Sequence, residues 1–350
     1  QLQGAAGEGV ALSSTLVFDH PTARQLASSL VAVSSSKPSF TMRSRLSEGG
    51  RAFEILLHGA SCVLPSSCFG PSSLIQAMLT ADDFVGVAPL QRWNSVSTDA
   101  GQAIEQHAAF MTRPQLFDAT RFRITPGEAV VMDLQQRLLL EHGYLALHGA
   151  GHRIAALREE AVGVYVGIWA DAGWNQVLSH SSHRHSAYRI SAASCSMAAG
   201  RISYTFGLRG PSLSVDTACT AGLVACHVAS GAVGGGESNA ALAAGVNVNY
   251  FADMFAVMNG FKEHDGRCYS FDHRASGFVA SEGCAAAVVE ATTQFGKSKQ
   301  SIGPGSRLLG STTRCAGASA SLTAPNGASQ ELLLRAQISI PPCAEAVHVG

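Results

Sequence analysis

Residues Gly210 to His227 read GPSLSVDTACTAGLVACH, the most informative part of the chain. Leu213 and Val215 indicate an apolar strand, and the apolar residues after Cys219 have helical spacing. Cys219 therefore falls at a strand-to-helix turn, where free backbone N–H groups and the positive end of the helix dipole favour a thiolate. Such a turn also exposes the side chain, as it does for the serine of a nucleophile elbow. We interpret Cys219 as a candidate nucleophile, and the alternative is a buried structural cysteine.

Further motifs stand in order along the chain on both sides of this stretch. They are PLQRW (89–93), LFDA (116–119), MDLQQR (132–137), AGRISYTFGLRGPS (199–212), GESNAALAAGVN (236–247), DGRCYSFD (265–272), GFVASEG (277–283) and LTAPNGASQE (322–331). Together with VDTACTAGLVA they resemble the β-ketoacyl synthases, the ketosynthase domains of modular type I polyketide synthases and fatty acid synthases, over residues 53–335. The resemblance implies a thiolase-like α/β fold of layered αβαβα type, present here as the N-terminal half and the start of the C-terminal half.

The same resemblance implies a mechanism and its partners. In the family, the cysteine of the DTAC motif, here Cys219, accepts the acyl chain as a thioester. A malonyl-type unit then loses CO₂ and attacks that thioester in a decarboxylative Claisen condensation. The substrates are carried on the phosphopantetheine of acyl carrier protein domains, no cofactor is bound directly, and the enzyme is generally a homodimer.

The family also uses two histidines and a lysine from its C-terminal half. The closing residues EAVHVG (345–350) have a faint similarity to the family's VEAHGTG phrase, so His348 is the candidate for the first histidine. The second histidine and the lysine have no candidate. We therefore expect the chain to be a fragment that is inactive by itself.

Several positions depart from the family motifs. Leu134 stands where the DPQQR phrase has proline, Gly127 replaces an arginine, and Thr220 and Ala221 replace two serines. Ser276 and Ala280 likewise replace an acidic and a basic residue. A second class of function therefore stays open, namely a non-elongating ketosynthase that binds or passes acyl chains and acts as a dimer scaffold. Thioesterase chemistry of the α/β-hydrolase type is disfavoured because no G-x-S-x-G phrase occurs.

Composition excludes some other classes of function. Of the 350 residues, 14% are charged and the net charge is −1, which argues against a nucleic-acid surface. No apolar run approaches the ~20 residues that span a bilayer, and no secretory signal is visible. The nine cysteines include no C-x-x-C pair, which indicates free thiols in a reducing, cytoplasmic compartment. A metal site of His180, His183 and His185 with Cys195 is the less favoured reading of a polar loop, so we expect no metal.

The chain also shows a domain organisation. Residues 12–30 read LSSTLVFDHPTARQLASSL and resemble the closing helix of an acyl carrier protein, without its phosphopantetheine serine. We assign 1–32 to this carrier tail, 33–52 to a flexible Ser- and Gly-rich linker, 53–290 to the ketosynthase N-terminal half and 291–350 to the start of its C-terminal half.

Within the ketosynthase part, strands and helices alternate. We predict strands at 53–57, 161–168, 213–215, 239–248 and 284–290, and helices at 72–79, at 126–148 and after Cys219. Alternating elements of this kind favour a largely parallel sheet that is covered on both faces.

Overall fold

The computed structural model describes residues 54–89, 92, 107–169, 173–251, 267–275, 278–291, 305–321 and 324–338. The chain divides into two compact units. One unit is Phe53–Leu308, and the other contains the described residues from Leu309 onward. The carrier tail, the linker and His348 lie outside the described residues, so those assignments stay predictions.

A mixed sheet forms the centre of the larger unit. Seven of the described strands build it in the order β2-β1-β8-β7-β5-β6, with β9 also paired to β1, while β3 and β4 form a separate two-stranded sheet. The strands are β1 (Ile55–Leu64), β2 (Cys68–Phe69), β3 (Val85–Val87), β4 (His107–Ala109), β5 (Val162–Ile168), β6 (Ser212–Val215), β7 (Ala240–Asn247), β8 (Gly283–Ala291) and β9 (Ser306–Leu308). The predicted strands therefore exist, and β1 is considerably longer than expected.

The strand directions correct one expectation. Strand β5 is parallel to β6 and β7, but β8 runs antiparallel to β7, and β1 runs antiparallel to β8, β2 and β9. The expectation of a largely parallel sheet is wrong because a central strand covered on both faces is apolar whichever way it runs. The apolar run of β8 thus indicated burial and carried no information about its direction.

Helices cover both faces of this sheet. The described helices of the larger unit are α1 (Gly70–Thr80), α2 (Pro126–Ala129), α3 (Leu134–Gly149), α4 (Ile154–Leu157), α5 (Trp174–Ser179), α6 (Arg189–Ala193), α7 (Ser196–Phe206) and α8 (Ala221–Gly234). The second unit contains α9 (Gly327–Ile338). The single helix predicted over 126–148 is wrong, since two helices occupy it. The second of these helices, α3, begins after Asp133, whose side chain caps it by accepting a hydrogen bond from the backbone N–H of Gln135.

The two faces of β5 show how the core is divided. Val164 and Val166 belong to the large cluster beneath α3 and α7, which includes Leu139 and Ile202. Tyr165 points the other way, into a second cluster that includes Ala225 and Ala229 of α8. This alternation follows from the two-residue period of a strand and fixes α8 on the face opposite to α3. Among the described residues, no helix has the length and apolar character that crossing a membrane requires.

Candidate active site

Cys219 lies in a single 3₁₀ turn, Ala218–Thr220, which joins the end of β6 to the start of α8. Its thiol is exposed to solvent. The strand-to-helix turn that the sequence predicts is therefore present at this position. Because the turn leads straight into α8, the sulfur lies beside the N-terminal end of a fourteen-residue helix.

The residue before the cysteine has an unusual backbone. Ala218 has a φ of 52°, in the left-handed region that non-glycine residues seldom adopt. The carboxylate of Asp216 accepts a hydrogen bond from the Ala218 backbone N–H, with an N to Oδ1 distance of 3.0 Å. The aspartate of the DTAC motif therefore holds the tight turn that presents Cys219 to solvent.

The first turn of α8 keeps its backbone donors free of a side-chain cap. Thr220 is the N-cap residue, but its side chain makes no capping bond to the helix. Its Oγ1 instead donates to the carbonyl oxygen of Thr217 at 2.8 Å. The backbone N–H groups of Thr220 and Ala221 donate to the carbonyl oxygens of Thr217 and Ala218. Backbone N–H groups at a helix start are the type of donor that stabilises a developing oxyanion.

Glycines bring α8 close to the sheet beneath the cysteine. Gly167 of β5 and Gly245 of β7 are directly paired partners. A Cβ built on Gly167 would lie 2.3 Å from the carbonyl carbon of Ala221, and one built on Gly245 would lie 3.3 Å from the Cα of Gly222. Only glycine at 167 allows this approach, since no real Cβ contact is that short. The sequence analysis did not assign these glycines a role, although glycines inside apolar strand runs are the signal for a close backbone approach.

A buried carboxylate ties together motifs that are far apart in the sequence. The side chain of Glu282 is fully buried. Its Oε2 accepts from the Arg92 guanidinium at 2.5 Å and from the Met111 N–H at 2.8 Å, and its Oε1 accepts from the Asn249 N–H at 3.0 Å. Burial raises the pKa of Glu282, against the lowering effects of Arg92 and the two backbone donors. Glu282 thus fixes the backbone just beyond β7, a role that the sequence analysis missed.

A second network joins the MDLQQR and AGRISY motifs. Arg201 of α7 donates to the Gln136 side-chain oxygen at 2.6 Å and also pairs with Glu128. Gln136 in turn donates to the carbonyl oxygens of Ser191 and Ser194, both at 3.2 Å. These bonds lock α3 against α6 and α7, the elements that lead into β6 and Cys219.

The other described thiols have different surroundings. Burial raises the pKa of Cys226 on α8, and it raises that of Cys284 on β8 strongly. Cys268 is half-buried, and Cys315, in the second unit, is exposed. Cys195 also stands at a helix start, as the N-cap residue of α7, but it is half-buried. Among the described thiols, Cys219 alone combines exposure with a place at the start of a helix. The described residues contain no group of three or more His, Cys, Asp or Glu side chains arranged to hold a metal.

Sequence comparison identifies relatives of the whole stretch. A family model described as "Beta-ketoacyl synthase, N-terminal domain" matches residues 52–294. The chain is 35% identical over 341 residues to erythronolide synthase EryA2 of Saccharopolyspora erythraea. This alignment covers 95% of the chain and 9% of that protein. It is also 35% identical over 342 residues to the pikromycin polyketide synthase component PikAII of Streptomyces venezuelae, covering 93% of the chain and 9% of that protein.

Solved structures that match the chain are also ketosynthases. A ketosynthase from module 6 of the bacillaene synthase of Bacillus subtilis 168 matches with a TM-score of 0.69 and 29% identity, covering 81% of the chain and 48% of that structure. The oxazolomycin ketosynthase domain OzmH KS7 of Streptomyces albus JA3453 matches with a TM-score of 0.71 and 25% identity, covering 83% of the chain and 51% of that structure. The fold is therefore thiolase-like, as the sequence resemblance implied. The chain spans under a tenth of each of these two curated relatives and about half of each of the two solved ketosynthases.

Proposed function

Because this chain belongs to the β-ketoacyl synthase family, we propose that Cys219 is the acyl-accepting nucleophile of a ketosynthase in a modular polyketide synthase. The observation that carries the proposal is the position of Cys219. It is exposed, it stands in the turn between β6 and α8, and it lies next to uncapped helix N–H groups.

The first step loads the enzyme. The Cys219 thiolate attacks the carbonyl carbon of an acyl thioester carried on phosphopantetheine, and the resulting tetrahedral oxyanion receives hydrogen bonds from backbone N–H groups at the start of α8. The carbon–sulfur bond of the incoming thioester breaks. The acyl group is then on Cys219, and the phosphopantetheine thiolate leaves and takes up a proton.

The second step makes the new carbon–carbon bond. A malonyl-type thioester loses CO₂, and the electron pair that remains forms an enolate. The enolate carbon attacks the acyl-Cys219 carbonyl, the bond between that carbonyl and the sulfur breaks, and Cys219 leaves as a thiolate. His348 is our candidate for one of the histidines that assist decarboxylation, on the sequence similarity alone.

The partners follow from the same proposal. Acyl carrier protein domains deliver both thioesters, and the chain itself binds no cofactor. The similarity of residues 12–30 to a carrier's last helix supports a carrier that directly precedes the ketosynthase in the synthase. We also propose a homodimer with the β6 region near its two-fold axis. A cytoplasmic location fits, since the described cysteines are free thiols.

A non-elongating ketosynthase is the second candidate. It is favoured by the departures from the family motifs, such as Thr220 and Ala221 directly after Cys219. Such a protein still forms the acyl thioester on Cys219 and lacks only the decarboxylation and bond-forming step. The two candidates therefore differ in condensation and agree in acylation.

Competitive alkylation tests the nucleophile. The purified chain is treated with limiting iodoacetamide and its peptides are mapped by mass spectrometry. We expect Cys219 to be modified first, well ahead of Cys315, which is also exposed but lies outside a helix. Preferential modification of Cys226 or Cys268 contradicts the proposal. With an acyl N-acetylcysteamine thioester, the acyl mass is expected on Cys219 and absent from the Cys219→Ala variant.

Condensation in the intact synthase separates the two candidates. Malonyl-type extender and acyl thioester are supplied, and release of CO₂ and formation of the β-ketoacyl product are measured. A product that disappears with Cys219→Ala supports the condensing enzyme. Acylation of Cys219 without CO₂ release supports the non-elongating alternative.

A further inference from the structure

The turn that carries Cys219 is flanked by two threonines, Thr217 and Thr220, which we call the threonine pair. The hydroxyl of Thr220 donates to the Thr217 carbonyl oxygen at 2.8 Å and to the Thr217 hydroxyl oxygen at 3.0 Å. The pair therefore joins the two ends of the turn that contains the candidate nucleophile.

The backbone closes the same turn only weakly. The Thr220 N–H donates to the Thr217 carbonyl oxygen at 3.3 Å, and a typical N–H···O bond measures about 2.7–3.2 Å. The hydroxyl bond to the same oxygen, at 2.8 Å, has the usual length of an O–H···O bond. The Thr220 side chain thus holds the two ends of the turn together more firmly than the backbone does.

Packing does not hold this turn either. Residues 216–220 are all exposed, and burial begins at Ala221, which is 5% exposed. Ala218 has a φ of 52°, a conformation that costs a non-glycine residue energy and persists only where its surroundings impose it. Hydrogen bonds restrain it from both sides, since Asp216 accepts from the Ala218 N–H and the Thr220 hydroxyl donates to Thr217.

The backbone N–H of Cys219 is the donor that this turn leaves available. The N–H groups of Ala218, Thr220 and Ala221 all donate within the turn. The Cys219 N–H makes no hydrogen bond to any residue that the structure describes. Its direction depends on the torsion angles of Ala218 and Cys219, which lie between the two members of the threonine pair.

We propose that Thr220 is a positioning residue for the acylation of Cys219, because its hydroxyl holds the turn in the shape that directs the Cys219 N–H at the oxyanion. The inference rests on the proposed function, and it concerns the acylation step that both candidate functions share. Thr220 itself touches neither the acyl group nor the sulfur in this role. It acts through the backbone between the two threonines.

Two reactions of the same thiol separate this role from a general one. In acylation, the Cys219 thiolate adds to the thioester carbonyl carbon, an oxyanion forms, and the leaving thiolate departs and takes up a proton. In alkylation by iodoacetamide, the thiolate displaces iodide from a saturated carbon, so no oxyanion forms. Loss of the Thr220 hydroxyl should therefore slow the first reaction and leave the second unchanged.

The branched side chain of threonine suits this role. The methyl group on Cβ restricts χ1, so the hydroxyl has fewer orientations than a serine hydroxyl would have. Bonds from a threonine hydroxyl to a carbonyl oxygen three residues earlier are a local alternative to backbone bonding. Serine at position 220 should make the same bond with more rotational freedom, whereas valine keeps the branched shape and loses the bond.

The test measures both reactions on the purified chain. The rate of Cys219 acylation by an acyl N-acetylcysteamine thioester is followed by mass spectrometry over a range of thioester concentrations, and alkylation by iodoacetamide is followed on the same samples. Thr220→Val should lower the maximal acylation rate about tenfold. The thioester concentration at half-maximal rate and the alkylation rate should not change. Thr220→Ser should acylate within about threefold of the unmodified chain.

Thr80→Val is the matched control. The Thr80 hydroxyl also donates to a backbone carbonyl oxygen, that of Gln76 at 2.9 Å, but Thr80 ends α1. Helix α1 packs on β1 and β2, and β2 is at the other end of the strand order from β6. Thr80→Val should keep both rates, and circular dichroism checks that every variant keeps its fold.

The possible results separate this inference from the proposed function. Equal acylation rates of Thr220→Val and the unmodified chain overturn the inference and leave the proposed function standing. A parallel loss of acylation and alkylation in Thr220→Val also overturns it, since the hydroxyl would then hold the thiol rather than the oxyanion donor. An unmodified chain that is not acylated at Cys219 contradicts the proposed function and the inference with it.

Discussion

Gly167 of β5 lies directly beneath Gly222 in the first turn of α8, so that a Cβ on Gly167 would stand 2.4 Å from the Gly222 backbone nitrogen. Cys219 is three residues before Gly222 and belongs to the turn that enters the same helix. The distance between β5 and α8 therefore sets where the sulfur lies above the sheet. Because Gly167 has no side chain, the first turn of α8 can approach β5 closely, and this approach positions Cys219.

The first prediction is that Gly167→Ala displaces the start of α8. The added methyl group meets backbone atoms, which no rotamer change can move away, so the loss in unfolding free energy should reach about 3 kcal/mol. Urea denaturation measures this loss. The rate of Cys219 alkylation relative to Cys315 should change as well, because the turn moves with the helix.

Gly231→Ala is the control in the same helix. A Cβ on Gly231 would meet nothing within 4 Å. Alanine is the better helix former, so this variant should be more stable by about 0.5–1 kcal/mol and should leave the labelling of Cys219 unchanged. If Gly167→Ala retains both the original stability and the original labelling rate, the close approach does not position the cysteine.

The sequence was sufficient to locate the long strands of the main sheet and the long helices α1, α3 and α8, and insufficient for their directions and breaks. The short strands β2, β3, β4 and β9 and the helices α4 to α7 were not predicted. The run VGVYVGI at 162–168 indicates a buried strand by composition alone, and β5 has those bounds. The break between α2 and α3 was missed because Val130, Val131 and Met132 continue the apolar pattern across it. The new start depends on one side-chain oxygen, that of Asp133, reaching the N–H of Gln135.

The site was predictable only where its parts are close in sequence. The turn at Cys219 is encoded by adjacent residues from Asp216 to Thr220, and its position between a strand and a helix was expected. Glu282 and Arg92 are 190 positions apart, so their ion pair follows from the tertiary fold alone. The role of Gly167 is similar, since the backbone opposite it belongs to a helix that begins more than fifty residues later.

A second prediction concerns Glu290, whose Oε2 lies 3.1 Å from the Nε2 of His58 and 3.8 Å from that of His152. Burial raises the pKa of Glu290, but the interactions with His152 and His58 together outweigh burial. The net effect is that the pKa of Glu290 falls from 4.5 to about 2. A carboxylate whose pKa is lowered by folding stabilises the folded state at pH values above its ordinary pKa. That stabilisation is lost as the pH falls toward the lowered pKa of about 2. Glu290→Gln should therefore cost about 3 kcal/mol at neutral pH, and the difference should shrink below pH ~4.

Glu331→Gln is the matched control for this experiment. Glu331 pairs with Arg335 on the same helix, but both side chains are largely exposed. Its removal should change the unfolding free energy by less than about 0.5 kcal/mol at any pH. Equal effects of the two substitutions at neutral pH would show that burial of the Glu290 cluster contributes nothing.

A third prediction separates two helix caps that look alike in sequence. Asp133 caps α3, is buried and also accepts from the Tyr250 hydroxyl, whereas Thr125 caps α2 at the surface. Asp133→Ala removes the cap and leaves a buried hydroxyl unpaired, so it should cost about 2–3 kcal/mol, against about 1 kcal/mol for Thr125→Ala. Asp133→Asn keeps both acceptor roles and should cost less than about 1 kcal/mol. Thermal or urea unfolding gives the three values, and an Asp133→Ala effect no larger than that of Thr125→Ala would contradict the buried role.

The last prediction tests the proposed homodimer at the edge of the sheet. Strand β6 ends the strand order and pairs only with β5 among the described strands, so its other edge has free backbone groups that a second copy can pair with. Leu213 on this strand is 41% exposed, so its side chain is accessible to a second copy that pairs along this edge. Leu213→Lys places a charge at that edge and should weaken self-association by at least about tenfold, measured by sedimentation velocity. Val87→Lys, on the separate two-stranded sheet where Val87 is 54% exposed, should leave association unchanged, because a general effect of added charge would appear equally at both sites. A dimer that survives Leu213→Lys would place the interface elsewhere than β6.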